Sequence, residues 1–343
     1  MKERYRVGIV GASFGALVHA PAFAAQGRFD VVAIASPNRA SEVARRRNIA
    51  HAFPSVEAML AATDLDVVSI AAPPFEHYRA VLAALERGMH VLCEKPFALD
   101  VGEAQTMLAA AERAGTVCAL AHEFRYVPAR LALRELVENG HLGPLRAIEV
   151  TTALSSLRAD GGRPNSWWFQ RVRGGGISGA ILSHGVDLAS WLAGRPPHRT
   201  AGYERTANPL RHVDGETFAS DVADGAFATI DYGEGLVATV WADGTRAAPG
   251  STTAVHGERR TAVTSGPNML DLRTFVVDDE ETAELEIAAA PHGHLAAAHP
   301  NLPPFVALLD DFVAALDGNP STIPTFADGL ETQRVLAAIG YGR

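Results

Sequence analysis

Between residues 1 and 121 short Val/Ile-rich runs alternate with Ala- and Leu-rich stretches, and no other feature constrains the fold as strongly. Arg6 to Val10, Val31 to Ala35, Val67 to Ala71, His90 to Cys93 and Val117 to Ala121 are nearly continuous apolar runs. Strands buried on both faces by crossover helices have that composition. Tyr78 to Glu86 and Gly102 to Ala114 between them have helical spacing. Such alternation predicts a parallel, doubly wound α/β sheet, with ligands bound at the carboxyl ends of its strands.

After about residue 122 the pattern changes. A helix is predicted from Pro128 to Asn139, stopped at Gly140, then a strand from Arg146 to Leu154. A Gly/Pro/Arg-rich loop covers Ala159 to Gly176, and a helix runs from about Ile181 to Leu192. From Thr217 to Ala242 and from Ala254 to Val277, β-type runs broken by Asp-Gly, Gly-Glu-Gly and Ser-Gly-Pro turns predict antiparallel sheet. Helices over Pro304 to Leu316 and Phe326 to Ile339 close the chain, after an irregular loop from Ala288 to Pro303. The expected division is therefore an N-terminal Rossmann domain, 1–122, and a C-terminal α+β domain, 123–343.

The first strand leads into Gly11-Ala12-Ser13-Phe14-Gly15-Ala16 and a helix. A dinucleotide-binding loop wants Gly at its tight turn, Gly where backbone meets pyrophosphate, and a small residue where helix packs on strand. Gly11, Ser13 and Ala16 hold those places, with Phe14 and Gly15 beside them, so Ser13 brings a hydroxyl to the close approach. NAD enzymes usually carry a carboxylate at the end of the second strand for the ribose 2′-OH. That strand here runs into Ser36, Asn38 and Arg39. A guanidinium without a neighbouring acid favours a 2′-phosphate, so NADP is the expected cofactor, with NAD possible.

Ala71-Ala72-Pro73-Pro74-Phe75-Glu76-His77 and Gly88-Met89-His90-Val91-Leu92-Cys93-Glu94-Lys95-Pro96 resemble the corresponding motifs of the Gfo/Idh/MocA family of dehydrogenases. His122-Glu123-Phe124-Arg125-Tyr126, Gly174-Gly175-Gly176, His184 with Asp187, and Asp328-Gly329-Leu330 extend the likeness along most of the chain. The resemblance implies a C-terminal domain with an open, mostly antiparallel sheet used for oligomer contacts, hence a homo-oligomer, dimer or tetramer. It also implies substrates that are sugars, polyols or their ketones. Lys95 is then expected beside nicotinamide and substrate, at the end of the fourth strand, and His184 as the acid/base. Ala72, Pro73, Pro74, His77 and Glu94 are expected to line the cofactor. A neutral-pH base suits His, and an ammonium stabilises developing alkoxide charge. The family commonly has Asp four residues before this His, where the present chain has Ala180. Further expected substrate contacts are His122, Arg125, Tyr126, Trp167, Trp168 and Asp187.

Composition narrows the partners. A formal net charge of −9 argues against nucleic acid. No uncharged apolar run is long enough to span a bilayer, and no signal-peptide pattern is seen, so a cytoplasmic protein is expected. Cys93 and Cys118 lie in apolar segments and read as small buried hydrophobes. His292, His294 and His299 lack helical spacing and a carboxylate partner, so no metal is expected. The leading functional expectation is an NADP-dependent oxidoreductase acting on a sugar-like hydroxyl or carbonyl. A cofactor-retaining enzyme that oxidises transiently to allow elimination, and a non-catalytic cofactor or sugar sensor, remain as alternatives.

Overall fold

Six strands, β1 (Tyr5–Val10), β2 (Phe29–Ala35), β3 (His51–Phe53), β4 (Val67–Ile70), β5 (His90–Cys93) and β6 (Cys118–Leu120), pair in the order β3-β2-β1-β4-β5-β6, all parallel. They belong to a computed structural model that describes residues 2–159, 163–278 and 280–342. Its two compact units are residues 1–126 with 290–330, and 127–289 with 331–343.

In the first unit the crossovers are α1 (Ala20–Gln26), α2 (Ala40–Arg47), α3 (Val56–Ala62), α4 (His77–Leu85) and α5 (Val101–Ala114). β4 and β5 are buried almost throughout, as continuous apolar runs under helices on both faces require. The strand order reverses between β1 and β4, and loops leaving two such strands in opposite directions open a crevice at their carboxyl ends. Gly11 follows one of those strands and Ala71 the other. The three-residue β3 was not expected, because it is too short for a periodic pattern and its residues are mostly exposed. Lys95 consequently follows the fifth strand, and His122 the sixth.

The first unit also contains a late segment, residues 290–330, with helix α8 (Leu302–Leu316). Its Phe305, Leu309 and Phe312 are fully buried and share a core with Val7, Ile9, Phe23 and Phe29. The Ala288 to Pro303 stretch is less irregular than expected, with a 3-10 turn at Gly293–Ala297.

The second unit begins with α6 (Pro128–Glu138) and β7 (Leu145–Ala153), then α7 (Ser183–Ala193). The strands β8 (Arg199–Arg205), β11 (Gly225–Asp231), β12 (Val237–Asp243), β13 (Gly250–Gly257), β14 (Thr261–Gly266), β15 (Arg273–Val277) and β16 (Thr282–Leu285) follow, interrupted by a separate hairpin of β9 (Leu210–Val213) and β10 (Glu216–Ala219). Eight strands form one sheet in the order β16-β15-β14-β13-β7-β12-β11-β8, antiparallel except for the β7–β12 pair. One sheet face carries Ile148, Val150, Ala228, Val240 and Val255 into a core shared with α7. Gly185 of α7 permits that contact, since a Cβ there would lie 2.6 Å from Val240 Cγ1. Residues 160–162 of the expected Ala159 to Gly176 loop lie outside the described residues. Helix α9 (Phe326–Ala338) starts in the first unit and ends in the second.

Replacing the fully buried Phe312 by Ala is expected to cost about 3–5 kcal/mol, measured as a fall in the denaturant midpoint at constant slope. An unchanged midpoint would mean that α8 does not belong to the first core.

Candidate active site

The crevice at the β1/β4 switch point is shaped by the Gly11 loop. Gly11 has φ of +112°, and a Cβ there would lie 2.3 Å from the Ala71 carbonyl oxygen, so no side chain fits. The Gly11 N–H donates to the Ala35 carbonyl at 2.9 Å and that of Ala71 to Val10 at 2.7 Å, which ties the ends of β1, β2 and β4 together. Sequence spacing pointed to Ala16 for the helix-on-strand contact. The tighter approach is at Gly15, where a Cβ would lie 2.9 Å from Ile9 Cγ2. Ser13 is exposed and Phe14 half-buried at the entry to the helix, which opens with a π turn over Gly15–His19. Ser36 is half-buried; Asn38 and Arg39 are exposed, with Arg39 Nε 3.6 Å from Glu42 of the following turn. A dinucleotide fits this chemistry: a Cβ-free loop, an exposed hydroxyl at a helix entry and no carboxylate among residues 36–39.

Beneath the loop lies a polar chain that the sequence did not reveal. His19 is completely buried, with Nδ1 2.7 Å from Ser69 Oγ and Nε2 3.0 Å from Glu94 Oε1. A carboxylate only accepts, so Nε2 carries the proton that faces Glu94. Glu94 Oε2 accepts the Lys95 N–H at 3.2 Å. Burial acts to raise the Glu94 pKa. The hydrogen bond and charge of His19, with the charges of Lys95 and His77, outweigh it and leave Glu94 below the usual carboxylate value. The sequence offers only two isolated hints, neither of which pairs the residues: Ser69 is the one polar residue inside the apolar β4, and His19 follows Ala16-Leu17-Val18.

His77 clamps the next two loops. Its Nε2 lies 2.9 Å from the Ala72 carbonyl and its Nδ1 3.0 Å from that of Pro96. Burial lowers its pKa against the pull of those carbonyls and of Glu94. The half-buried Ala72 and Pro73 and the buried Pro74 are thereby held against the segment after Lys95. Lys95 itself is half-buried.

The segment after β6 brings His122, Glu123, Phe124 and Arg125, all buried, to the neighbouring strand end. Arg125 Nη2 lies 3.5 Å from Asp328 Oδ1, and the Tyr126 hydroxyl donates to Asp311 at 2.7 Å. Both side chains therefore also tie this turn to the late segment of the first unit. Glu123 was within the quoted motif but not among the expected site residues. Its Oε1 accepts from Asn301 Nδ2 at 3.2 Å, and its buried Oε2 has no hydrogen-bond partner. Burial, reinforced by the Glu94 charge, pushes its pKa up to about 8, while Lys95 pulls the other way.

In the second unit His184 and Asp187 are buried in the first turns of α7. Ala180 lies in a π turn, Ser178–Leu182, rather than in regular helix, and the Ser183 hydroxyl donates back to the Gly179 carbonyl. Single π turns recur at functional sites. Trp168 is buried and Trp167 half-buried, with the Arg163 guanidinium 4.7 Å from the Trp168 ring centroid. Gly175 is required there, since a Cβ would lie 2.2 Å from the Trp168 carbonyl oxygen. Buried Arg211 braces the preceding loop, donating to the carbonyls of Leu157 and Arg158 at 2.7 Å.

His292, read as having no carboxylate partner, has one: its Nε2 lies 2.7 Å from Asp310 Oδ2 of α8, beyond the reach of local sequence pattern. Among the described residues no group of three or more His, Cys, Asp or Glu could hold a metal ion. Nor is any described helix long and apolar enough to cross a membrane. Cys93 is buried and Cys118 half-buried; both are free thiols.

Residues 5–122 match the model of an oxidoreductase family with an NAD-binding Rossmann fold, and residues 131–263 match the GFO/IDH/MocA C-terminal domain. The chain belongs to the Gfo/Idh/MocA family of oxidoreductases. It is similar to levoglucosan dehydrogenase of Pseudarthrobacter phenanthrenivorans, 28% identical with 98% of this chain and 95% of that protein covered. D-glucoside 3-dehydrogenase of Escherichia coli is 32% identical, with 67% of each covered. An uncharacterized oxidoreductase of Synechocystis is 37% identical over 55% of this chain, which spans only 51% of that relative's length. A solved structure of levoglucosan dehydrogenase with NADH and L-sorbose superimposes with a TM-score of 0.86, at 25% identity, covering 98% of this chain and 96% of that one. The chain is thus an oxidoreductase with an NAD-binding Rossmann fold.

His19→Ala strands the Glu94 carboxylate without its partner, and stability near neutral pH is expected to fall by roughly 3 kcal/mol in chemical denaturation. Glu123 keeps its proton to about pH 8 when folded, whereas an unfolded Glu loses it near 4.3. The folded state then binds more protons across that window, so this group lowers stability as pH rises through it. Glu123→Gln is expected to remove that part of the slope in denaturant midpoints measured from pH 5 to 8. An unchanged slope would contradict the assignment.

Proposed function

We propose that this chain is an NADP(H)-preferring dehydrogenase or reductase acting at a hydroxyl or carbonyl carbon of a sugar, polyol or sugar-like metabolite. The observation that carries the reading is Lys95, seated at the carboxyl end of β5 with its backbone N–H fixed by the buried Glu94. The sugar class is supported by the relatives that are named for levoglucosan and D-glucoside oxidation. NADP(H) preference is supported by Ser36, Asn38 and Arg39 after β2, since residues 36–39 include no carboxylate to take the ribose 2′-OH and the nearby Glu42 lies against Arg39.

The dinucleotide, when bound, supplies the hydride acceptor or donor. Gly11, Ser13, Phe14 and Gly15 would hold its phosphates, and Ala72, Pro73 and Pro74, kept in place by His77, would line the rest of its site. The Lys95 ammonium stabilises negative charge on the reacting oxygen, and Glu94 fixes the backbone from which that ammonium extends. His184 holds or gives up the hydroxyl proton on its imidazole, the side chain suited to that exchange near neutral pH. With Ala at position 180, Asp187 is the acidic residue nearest in sequence to His184. His122, Arg125, Tyr126, Trp167 and Trp168 are the proposed substrate contacts. Oligomer formation through the open sheet face is part of the same reading, supported by the exposed Tyr203, Val237 and Trp241.

The test is NADPH and NADH turnover against a panel of keto-sugars and aldoses, and the reverse reaction with NADP and NAD. NADP(H) is expected to be preferred, with Arg39→Ala raising the KM for NADPH about tenfold and leaving that for NADH unchanged. Lys95→Ala and His184→Ala are each expected to lower kcat by about a hundredfold or more. A preference for NADH would overturn the cofactor assignment, and full activity in both variants would overturn the catalytic one.

A further inference from the structure

Lys95 is flanked by two buried carboxyls, and only one of them has an obvious task. Glu94 fixes the Lys95 backbone and is held charged by His19. Glu123 emerges from β6, which pairs in parallel with β5, and the ladder continues past the strand ends through the Ala121 N–H to the Cys93 carbonyl at 2.8 Å. Residues 94–95 and 121–123 therefore leave adjacent strands side by side. Glu123 is 2% exposed, with one oxygen on Asn301 and the other without a hydrogen-bond partner. Burying a carboxyl so close to a second one, with an oxygen left unpaired, has no structural benefit.

We propose that Glu123 is a positioning residue that holds a proton for Lys95. The inference rests on the reading of Lys95 given above and deepens it. Two neighbouring buried carboxyls do not both ionise, and here their environments push them apart: Glu94 low, Glu123 high. With Glu123 a neutral acid beside it, Lys95 keeps its ammonium charge for the reacting oxygen, whose proton exchanges with His184. As long as Glu123 holds its proton, Glu94 has no second anionic neighbour. Above the Glu123 midpoint its O–H bond breaks, the proton goes to solvent, and the carboxylate so formed draws the Lys95 ammonium away from the reacting oxygen.

Several titratable or charged groups surround this pair: His19 from the opening turn, His77 at the start of α4, His122 and Arg125 beside Glu123, His299 before α8, and Asp328 at the start of α9. Arg125 and Asp328 pair with each other, and His19 is committed to Ser69 and Glu94. His77 faces two carbonyls, and His299 Nδ1 accepts the Asn301 N–H. His122 faces Asp328, whose carboxyl feels its charge.

The test is infrared titration of the full chain, following the carbonyl stretch of a protonated carboxyl. One such band is expected to disappear near pH 8, to be missing in Glu123→Gln and to return in Glu123→Asp. Glu94→Gln is expected to move its midpoint down by roughly one unit or more, and Lys95→Ala to move it up. Absence of the band, or a midpoint indifferent to Lys95→Ala, would overturn the proposal whether or not a substrate is found. With a turned-over sugar, Glu123→Gln is expected to lose the limb of the kcat–pH profile near that midpoint while cofactor Kd stays within about twofold. An unaltered profile would also overturn the proposal. Inactivity of the unaltered enzyme with every sugar would instead count against the proposed function, leaving the infrared result to stand.

Discussion

A carboxylate that stays charged inside a protein must be matched by donors, and Glu94 is matched on both oxygens. His19 Nε2 holds one and the Lys95 N–H the other, with Ser69 fixing the far side of the imidazole. Losing one partner of such a buried pair costs far more than an exposed ion pair contributes. The chain links the helix after the glycine loop, the centre of β4 and the end of β5, three elements on which the proposed cofactor site depends. Its rigidity is inherited by Lys95.

The fold supplies the remaining constraint. Reversal of strand order between β1 and β4 opens the crevice, and the Gly11 backbone, in a conformation open to glycine and pressed on Ala71, closes its floor. Gly15 lets the helix sit directly on Ile9. In the second unit Gly175, Gly176 and Gly185 have the same use, permitting backbone approach to Trp168, Ala223 and Val240. Glycines thus set the positions of backbone, and buried polar side chains set those of the reactive groups.

Much of this was legible in the sequence. Continuous apolar runs marked five of the six parallel strands, and the Pro73-Pro74 and Glu94-Lys95-Pro96 motifs marked the family. What stayed hidden was non-local. Nothing in the β3 tripeptide distinguishes a short edge strand from a turn. The apolar face of Leu302–Leu316 announces a buried helix without saying which core it joins. His19 and Ser69 are fifty residues apart and their pairing depends on a crossover, just as His292 finds Asp310 eighteen residues away. Glu123 was visible as a residue, but its environment was not, since its burial and the nearness of Glu94 exist only in the folded sheet.

The measurement that most directly tests the central claim is a double-mutant cycle between His19 and Glu94, using His19→Ala, Glu94→Gln and the double variant in chemical denaturation. A coupling energy of about 2 kcal/mol or more is expected, because each residue's contribution depends on the other. Additive effects, within a few tenths of a kcal/mol, would mean that the two side chains do not hold one another and that Lys95 is positioned by other means.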